Sequence, residues 1–220
     1  MEPVIKFPAK SKNKKLPSFK IVLVGNSKTG KTTLLEALTI TGSSEKGYSA
    51  SITIPISTSE KDLKNCPKIE GKIFDLRSQR YFPYLHALFY NNAKGAIIVF
   101  DLTDKKSFEA LSYWKQIVWG NAGMVPLLFC GNKSDLVQKN PKNLTRKKIL
   151  EYINQESAKF ETAIDYIEMS AKNQEIIYFS LKHEQQFNIN ELANHYDPFI
   201  IPFVRWLMTI YKTNAINNSL

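Results

Sequence analysis

Several protein classes are excluded by what this sequence lacks. Its 220 residues hold only two cysteines, Cys66 and Cys130, too few for a disulfide framework. Both read as buried or neutral thiols in a reducing compartment. There is no run of 18 apolar residues, so no membrane span is expected. No export signal is expected either, because the basic stretch Lys6 to Lys20 leads into no apolar segment with a small-residue cleavage site. Internal repeats and low-complexity blocks are absent apart from a lysine-rich start. The first twenty residues are poor in acid: Glu2 stands alone against Lys6, Lys10, Lys12, Lys14, Lys15 and Lys20. About half of the net charge of +10 therefore sits there, and Pro3, Pro8 and Pro17 break any helix. The stretch reads as a solvated arm, with weak contact to an acidic surface, an anionic lipid or an import receptor as the functional alternative. No aromatic or recognition pattern supports specific nucleic-acid binding.

What is present is an ordinary globular composition, 43% apolar, enough for a sizeable core in one domain. Phe19 to Val24, Gly95 to Phe100 and Val125 to Cys130 are short apolar runs of the kind that form parallel strands buried on both faces. Ile164 to Met169 reads as a further strand, Lys68 to Asp75 as an alternating one, and Ile52 to Ser57 as a weak edge strand. Helices are expected over Lys31 to Thr39, Ser107 to Val118, Leu144 to Phe160 and Phe199 to Tyr211. Strands alternating with helices predict an α/β fold: a mostly parallel sheet with helices on both faces. Ligands of such sheets bind at the carboxyl ends of the strands, and every motif below follows a strand.

Gly25-Asn26-Ser27-Lys28-Thr29-Gly30-Lys31-Thr32, followed by Thr33, fits G-x-x-x-x-G-K-[ST] between a strand and a helix. The glycines allow the backbone to curl so that successive N–H groups meet phosphate oxygens, and the helix start adds partial positive charge. Lys31 is placed to reach the β- and γ-phosphates, and the Thr32 hydroxyl to bind Mg²⁺. That loop leaves the base open between ATP and GTP. Asn132-Lys133-Ser134-Asp135 decides for guanine, since a carboxylate accepts from the ring N–H and the exocyclic amine, a pattern adenine does not offer. The Lys133 stem can lie along the base, and Asn132 can tie this loop to the phosphate loop. Ser170-Ala171-Lys172 follows the last strand, where a backbone N–H can meet the guanine carbonyl. A P-loop kinase or ATPase is disfavoured by Asn132 to Asp135.

In this order the motifs GNSKTGKT, DLRSQ, GNKSD and SAK resemble the Ras superfamily of small GTPases, over residues 19 to 172 and again at the last helix. Phe19 to Thr33 and Phe100 to Trp114 are similar to the Ran and Rab branches, and Thr41 to Ser51 and Val125 to Leu136 to Ran. The resemblance implies the P-loop GTPase fold and a switch that binds GTP or GDP with Mg²⁺ and is served by exchange factors, activating proteins and effectors. Its two mobile loops would be Thr41 to Thr53 and Asp75 to Tyr84. It implies that Asp75 lies behind the Mg²⁺ and that Gln79 orients the attacking water. Ser51 stands where a Mg²⁺-binding Thr is usual, with Thr53 as a rival ligand. Other departures are Ser78 in place of the switch II glycine, Lys28 in the phosphate loop, and Ser44 in place of an aromatic against the base. They leave open an active GTPase, weakened by Ser78 and Lys28, or a nucleotide-binding scaffold with little hydrolysis.

The expected organisation is a basic arm over residues 1–18, a GTPase domain over 19–212, and a short tail over 213–220. An insertion at about 173–198, longer than Ran has there, reads as a surface insertion, with a partner-binding element as the alternative. No cysteine follows Cys130, so no prenyl anchor is expected. The expected state is a monomer in the cytoplasm or nucleus.

Overall fold

The computed structural model describes residues 18–39, 49–55, 68–75, 83–139, 144–159, 164–180 and 197–217. Seven strands form one sheet: β1 (Ser18–Val24), β2 (Ser49–Pro55), β3 (Lys68–Asp75), β4 (Ala93–Asp101), β5 (Leu127–Asn132), β6 (Ile164–Ser170) and β7 (Glu175–Ser180). Their order is β2-β3-β1-β4-β5-β6-β7. The β3-β1-β4-β5-β6 centre is parallel, and β2 and β7 close the two edges in the antiparallel sense. Later strands are added on both sides of β1, so its carboxyl end is a topological switch point, the usual ligand crevice of an α/β sheet.

The central strands are buried on both faces, which is why they read as unbroken apolar runs. Along β1, Ile21 and Leu23 face one core and Val22 and Val24 the other; along β4, Ile97 and Val99 oppose Ala96, Ile98 and Phe100. The first core is completed by helix α1 (Lys31–Thr39), through Leu34 and Leu38, and by the C-terminal helix. The second lies under α2 (Pro83–Tyr90), α4 (Leu111–Ala122) and α5 (Arg146–Lys159), which contribute Tyr90, Leu111, Val118, Ile149 and Ile153. Cys130 is free and buried, and burial pushes its thiol well above the ordinary pKa. Among the described residues no helix is long and apolar enough to cross a membrane.

The structure corrects several expectations. The helix expected over Ser107 to Val118 is two: α3 (Lys105–Glu109), capped by the Asp104 side chain on the Lys106 N–H, and α4, with Ala110 between them. The last helix, α6 (Ile201–Asn217), starts later and runs further than Phe199 to Tyr211. The edge strand expected from Ile52 begins at Ser49 and ends at Pro55. A strand not expected from the sequence, β7, lies at the start of the expected insertion and pairs with β6 from Ser170↔Glu175 to Tyr166↔Ser180. Arg146 fastens β7. Its guanidinium donates twice to Glu168 Oε2, at 2.9 and 2.6 Å, and lies 4.6 Å above the Tyr178 ring. Glu168 also accepts the Tyr166 hydroxyl at 2.8 Å.

Candidate functional site

The loop from Gly25 to Gly30 joins β1 to α1 at the switch point. Its two glycines are required by space as well as by conformation. Gly25 has φ +139°, and a Cβ there would stand 2.1 Å from the Val99 carbonyl oxygen. Gly30 has φ +90°, and a Cβ would meet Asn132 Nδ2 at 2.2 Å. Lys28 adopts φ +65°, a left-handed conformation unusual for a non-glycine residue, and its side chain is exposed.

Lys31 is buried, and its ammonium donates to the carbonyls of Gly25 at 2.9 Å and Asn26 at 2.6 Å. It therefore lies across the loop that would hold phosphates. Burial lowers its pKa from the ordinary value, and the Asp75 charge partly offsets that. A phosphate beside it would favour the charged form further. The Thr32 hydroxyl donates to Asp75 Oδ2 at 3.3 Å, so the first turn of α1 and the end of β3 meet here. Ser27 and Thr33 are exposed.

A hydroxyl and a carboxylate suit Mg²⁺, which prefers hard oxygen ligands and keeps waters and substrate phosphates in its shell. Among the described residues there is no group of three His, Cys, Asp or Glu side chains able to hold a metal alone. Ser51 is not beside this pair. It lies in β2 opposite Lys72, three register steps from Asp75, roughly 10 Å along the strand.

The base-reading segments are clasped to the phosphate loop by one buried side chain. Asn132 Nδ2 donates to the Thr29 carbonyl at 2.9 Å, and its Oδ1 accepts the Ala171 N–H at 2.9 Å. Residues 29, 132 and 171 are thereby fixed together. Asp135 lies in the first turn of a 3₁₀ helix over Ser134–Lys139, and its Oδ1 accepts the Ser170 hydroxyl at 2.7 Å, which orients the carboxylate. The Asn173 N–H donates to the same hydroxyl oxygen at 3.2 Å, and Lys172 is exposed in the turn. That turn is the β6–β7 hairpin, so the strand missed in the sequence shapes the S-A-K segment.

Two further residues belong to the site, Asp101 and Trp114. Lys133, at φ +67°, pairs through Nζ with Asp101 Oδ2 at 2.6 Å. Asp101 Oδ1 accepts from the Thr103 N–H at 2.8 Å and its hydroxyl at 2.7 Å. Burial pushes the Asp101 pKa up, but the Lys133 and Thr103 hydrogen bonds outweigh it and hold it below the ordinary value. The second is Trp114, whose indole N–H donates to Asn26 Oδ1 at 2.8 Å. The one sequence signal for Asp101 was its position at the end of a strong central strand. Gln79 and Ser78, in the expected loop from Asp75 to Tyr84, and Ser44 lie outside the described residues.

Phosphate loop, Thr32–Asp75 pair and Asn132–Asp135–Ser170 cluster thus converge at the carboxyl ends of β1, β3, β5 and β6. A family model described as the Ras family matches residues 20–186, well over half of the chain. The seven-stranded, mostly parallel α/β sheet with its phosphate loop after β1 is the P-loop GTPase fold, and the chain belongs to the Ras family of guanine-nucleotide-binding switch proteins.

Proposed function

We propose that this chain binds GTP and GDP with Mg²⁺ and hydrolyses GTP slowly, cycling between two switch states. The observation that carries the reading is the meeting of Lys31, Thr32 and Asp75 at the mouth of the phosphate loop, with Asp135 oriented by Ser170 on the guanine side. Thr32, with Asp75 behind it, would hold Mg²⁺, which when bound neutralises phosphate charge. Lys31 and the loop N–H groups supply the remaining stabilisation, and phosphoryl transfer of this kind is mostly positioning and electrostatics. Gln79 is assigned to orient the attacking water and Ser51 to complete the metal shell when the loop from Thr41 to Thr53 closes. For Ser51 this requires movement out of its β2 register.

Ser78 favours slow turnover. Where a glycine would swing its N–H to the γ-phosphate freely, a Cβ restricts the dihedrals, at about 1–3 kcal/mol if a sparse region is needed. Lys28 adds a cation in the phosphate loop, and with Ser78 it favours the second reading, a nucleotide-binding scaffold with little hydrolysis. The Ran and Rab likenesses of the motifs support a monomeric switch of the cytoplasm or nucleus, read by effectors and reset by exchange factors and activating proteins.

Single-turnover hydrolysis with Mg²⁺ tests this. The expected rate lies at or below the low end of the intrinsic range of about 10⁻⁴ to 10⁻² per second. Ser78→Gly should raise it and Gln79→Leu reduce it. An ordinary intrinsic rate left unchanged by Ser78→Gly contradicts the assigned role of Ser78.

A further inference from the structure

Asn26 is the second residue of the phosphate loop, and it accepts three hydrogen bonds, one of them from Lys31. Its carbonyl accepts from Lys31 Nζ at 2.6 Å and from the Thr29 hydroxyl at 2.9 Å. Its side-chain oxygen accepts the Trp114 indole N–H at 2.8 Å, across 88 residues of chain. An indole N–H is donor only, so this contact also fixes which way the Asn26 amide faces. Trp114 sits on a rigid element. Leu111 and Val118 of α4 are fully buried, and the neighbouring Lys115 is paired with Glu156 of α5 in the interior. The Trp114 ring meets Tyr113 edge-on at 5.4 Å, and Tyr113 is 57% exposed. A continuous physical path therefore leads from an exposed aromatic on α4, through one hydrogen bond, to the residue that seats Lys31.

We infer that Trp114 is a positioning residue for the phosphate loop, and that through Asn26 it sets how long the nucleotide stays bound. The inference rests on the guanine-nucleotide reading of that loop. With the indole N–H in place, the Asn26 backbone is held where its carbonyl receives Lys31. Without it, the loop samples other conformations, Lys31 loses one of its two carbonyl partners for part of the time, and phosphates are released sooner. A shift of α4 caused by anything that presses on Tyr113 would act along the same route.

The test is release of a fluorescent GDP, chased with excess GDP in Mg²⁺, from the full chain and its Trp114→Phe, Asn26→Leu and Asn26→Asp variants, singly and combined. Phenylalanine keeps the ring and removes only the N–H; aspartate keeps an acceptor at the Oδ1 position, and leucine removes it. Trp114→Phe and Asn26→Leu should each speed release about three- to tenfold, the effect of one lost hydrogen bond. Combined, they should be no faster than the faster single variant. The Trp114→Phe effect should persist in the Asn26→Asp background and vanish in the Asn26→Leu background. A packing role alone would leave Asn26→Leu at the wild-type rate and make the effects of Trp114→Phe and Asn26→Leu additive, and either result overturns the inference. Should Trp114→Phe fail to fold, the Asn26→Leu rate decides alone, faster release supporting the inference and unchanged release overturning it. Wild type that takes up no GDP would contradict the nucleotide reading itself. Normal uptake with unchanged release in the variants contradicts only the role of Trp114.

Discussion

Replacing Asn132 by alanine removes the clasp between the phosphate loop and both base-reading segments. Asn132 is 2% exposed, and its amide makes two hydrogen bonds of 2.9 Å, to the Thr29 carbonyl and from the Ala171 N–H. Alanine leaves both backbone groups without that partner. Each buried polar group so abandoned costs about 1–3 kcal/mol. Water can enter from the mouth of the site, which favours the lower half of the summed range, about 2–4 kcal/mol. At 1.4 kcal/mol per decade, GDP should bind about 30- to 700-fold more weakly. Asn132→Asp is the informative control. It keeps the acceptor for Ala171 but turns the 2.9 Å contact with the Thr29 carbonyl into an oxygen facing an oxygen, so it should be no better than alanine. Titration of fluorescent GDP gives the affinity, and the melting temperature under saturating GDP gives an independent reading, because a weaker ligand stabilises less. Affinity within threefold of wild type for Asn132→Ala would refute the clasp.

Three other expectations follow from the geometry. Lys28→Gly removes the left-handed strain at φ +65° but frees the unfolded chain, two effects of about 1 kcal/mol that nearly cancel; the melting temperature of the GDP form should change little, whereas Lys28→Val should lower it clearly. Asp101→Asn strips Lys133 of its ion pair and should weaken GDP binding by about 1–3 kcal/mol. Because the folded pKa of Asp101 is depressed, its contribution to stability is complete above the unfolded value of 3.8 and is lost as pH falls through the folded one. The difference between wild type and Asp101→Asn in unfolding free energy should therefore be flat from about pH 5 to 8 and shrink only in stronger acid, and a slope near neutrality would contradict the assignment. Arg146→Ala removes the link from α5 to Glu168 and Tyr178, so hydrogen exchange should speed up in Glu175–Ser180 and not in the centre of β4; equal protection of Glu175–Ser180 in wild type and Arg146→Ala would show that β7 is held by other means.

The parts legible in the sequence were those whose signal is local. Phe19 to Val24 and Gly95 to Phe100 announced central strands because burial on both faces demands unbroken apolar residues. Gly25 to Thr32 and Asn132 to Asp135 announced themselves because backbone curling and guanine recognition need particular residues at fixed spacing. β7 escaped because Glu-Ile-Ile-Tyr-Phe-Ser is a six-residue edge strand whose partner in β6 and whose anchor Arg146 lie elsewhere in the chain. Helix α2 escaped because Pro-Tyr-Leu-His-Ala-Leu-Phe-Tyr lacks the polar spacing that marks a helical face. Ala110 divides α3 from α4 although the apolar pattern from Phe108 to Val118 reads as continuous. Asp101 and Trp114 were not picked out as site residues because their roles exist only through tertiary pairs, with Lys133 and with Asn26.

Competition of nucleotides for the purified protein tests the central claim most directly. Fluorescent GDP bound to the full chain is displaced by GTP, ATP or xanthosine triphosphate in the presence of Mg²⁺. Asp135, oriented by the Ser170 hydroxyl at 2.7 Å, offers a carboxylate that matches the guanine ring N–H and amine. The account predicts that GTP displaces GDP at far lower concentration than ATP, and that Asp135→Asn moves the preference towards the xanthine nucleotide. Equal displacement of GDP by ATP and GTP from the wild-type protein would contradict it.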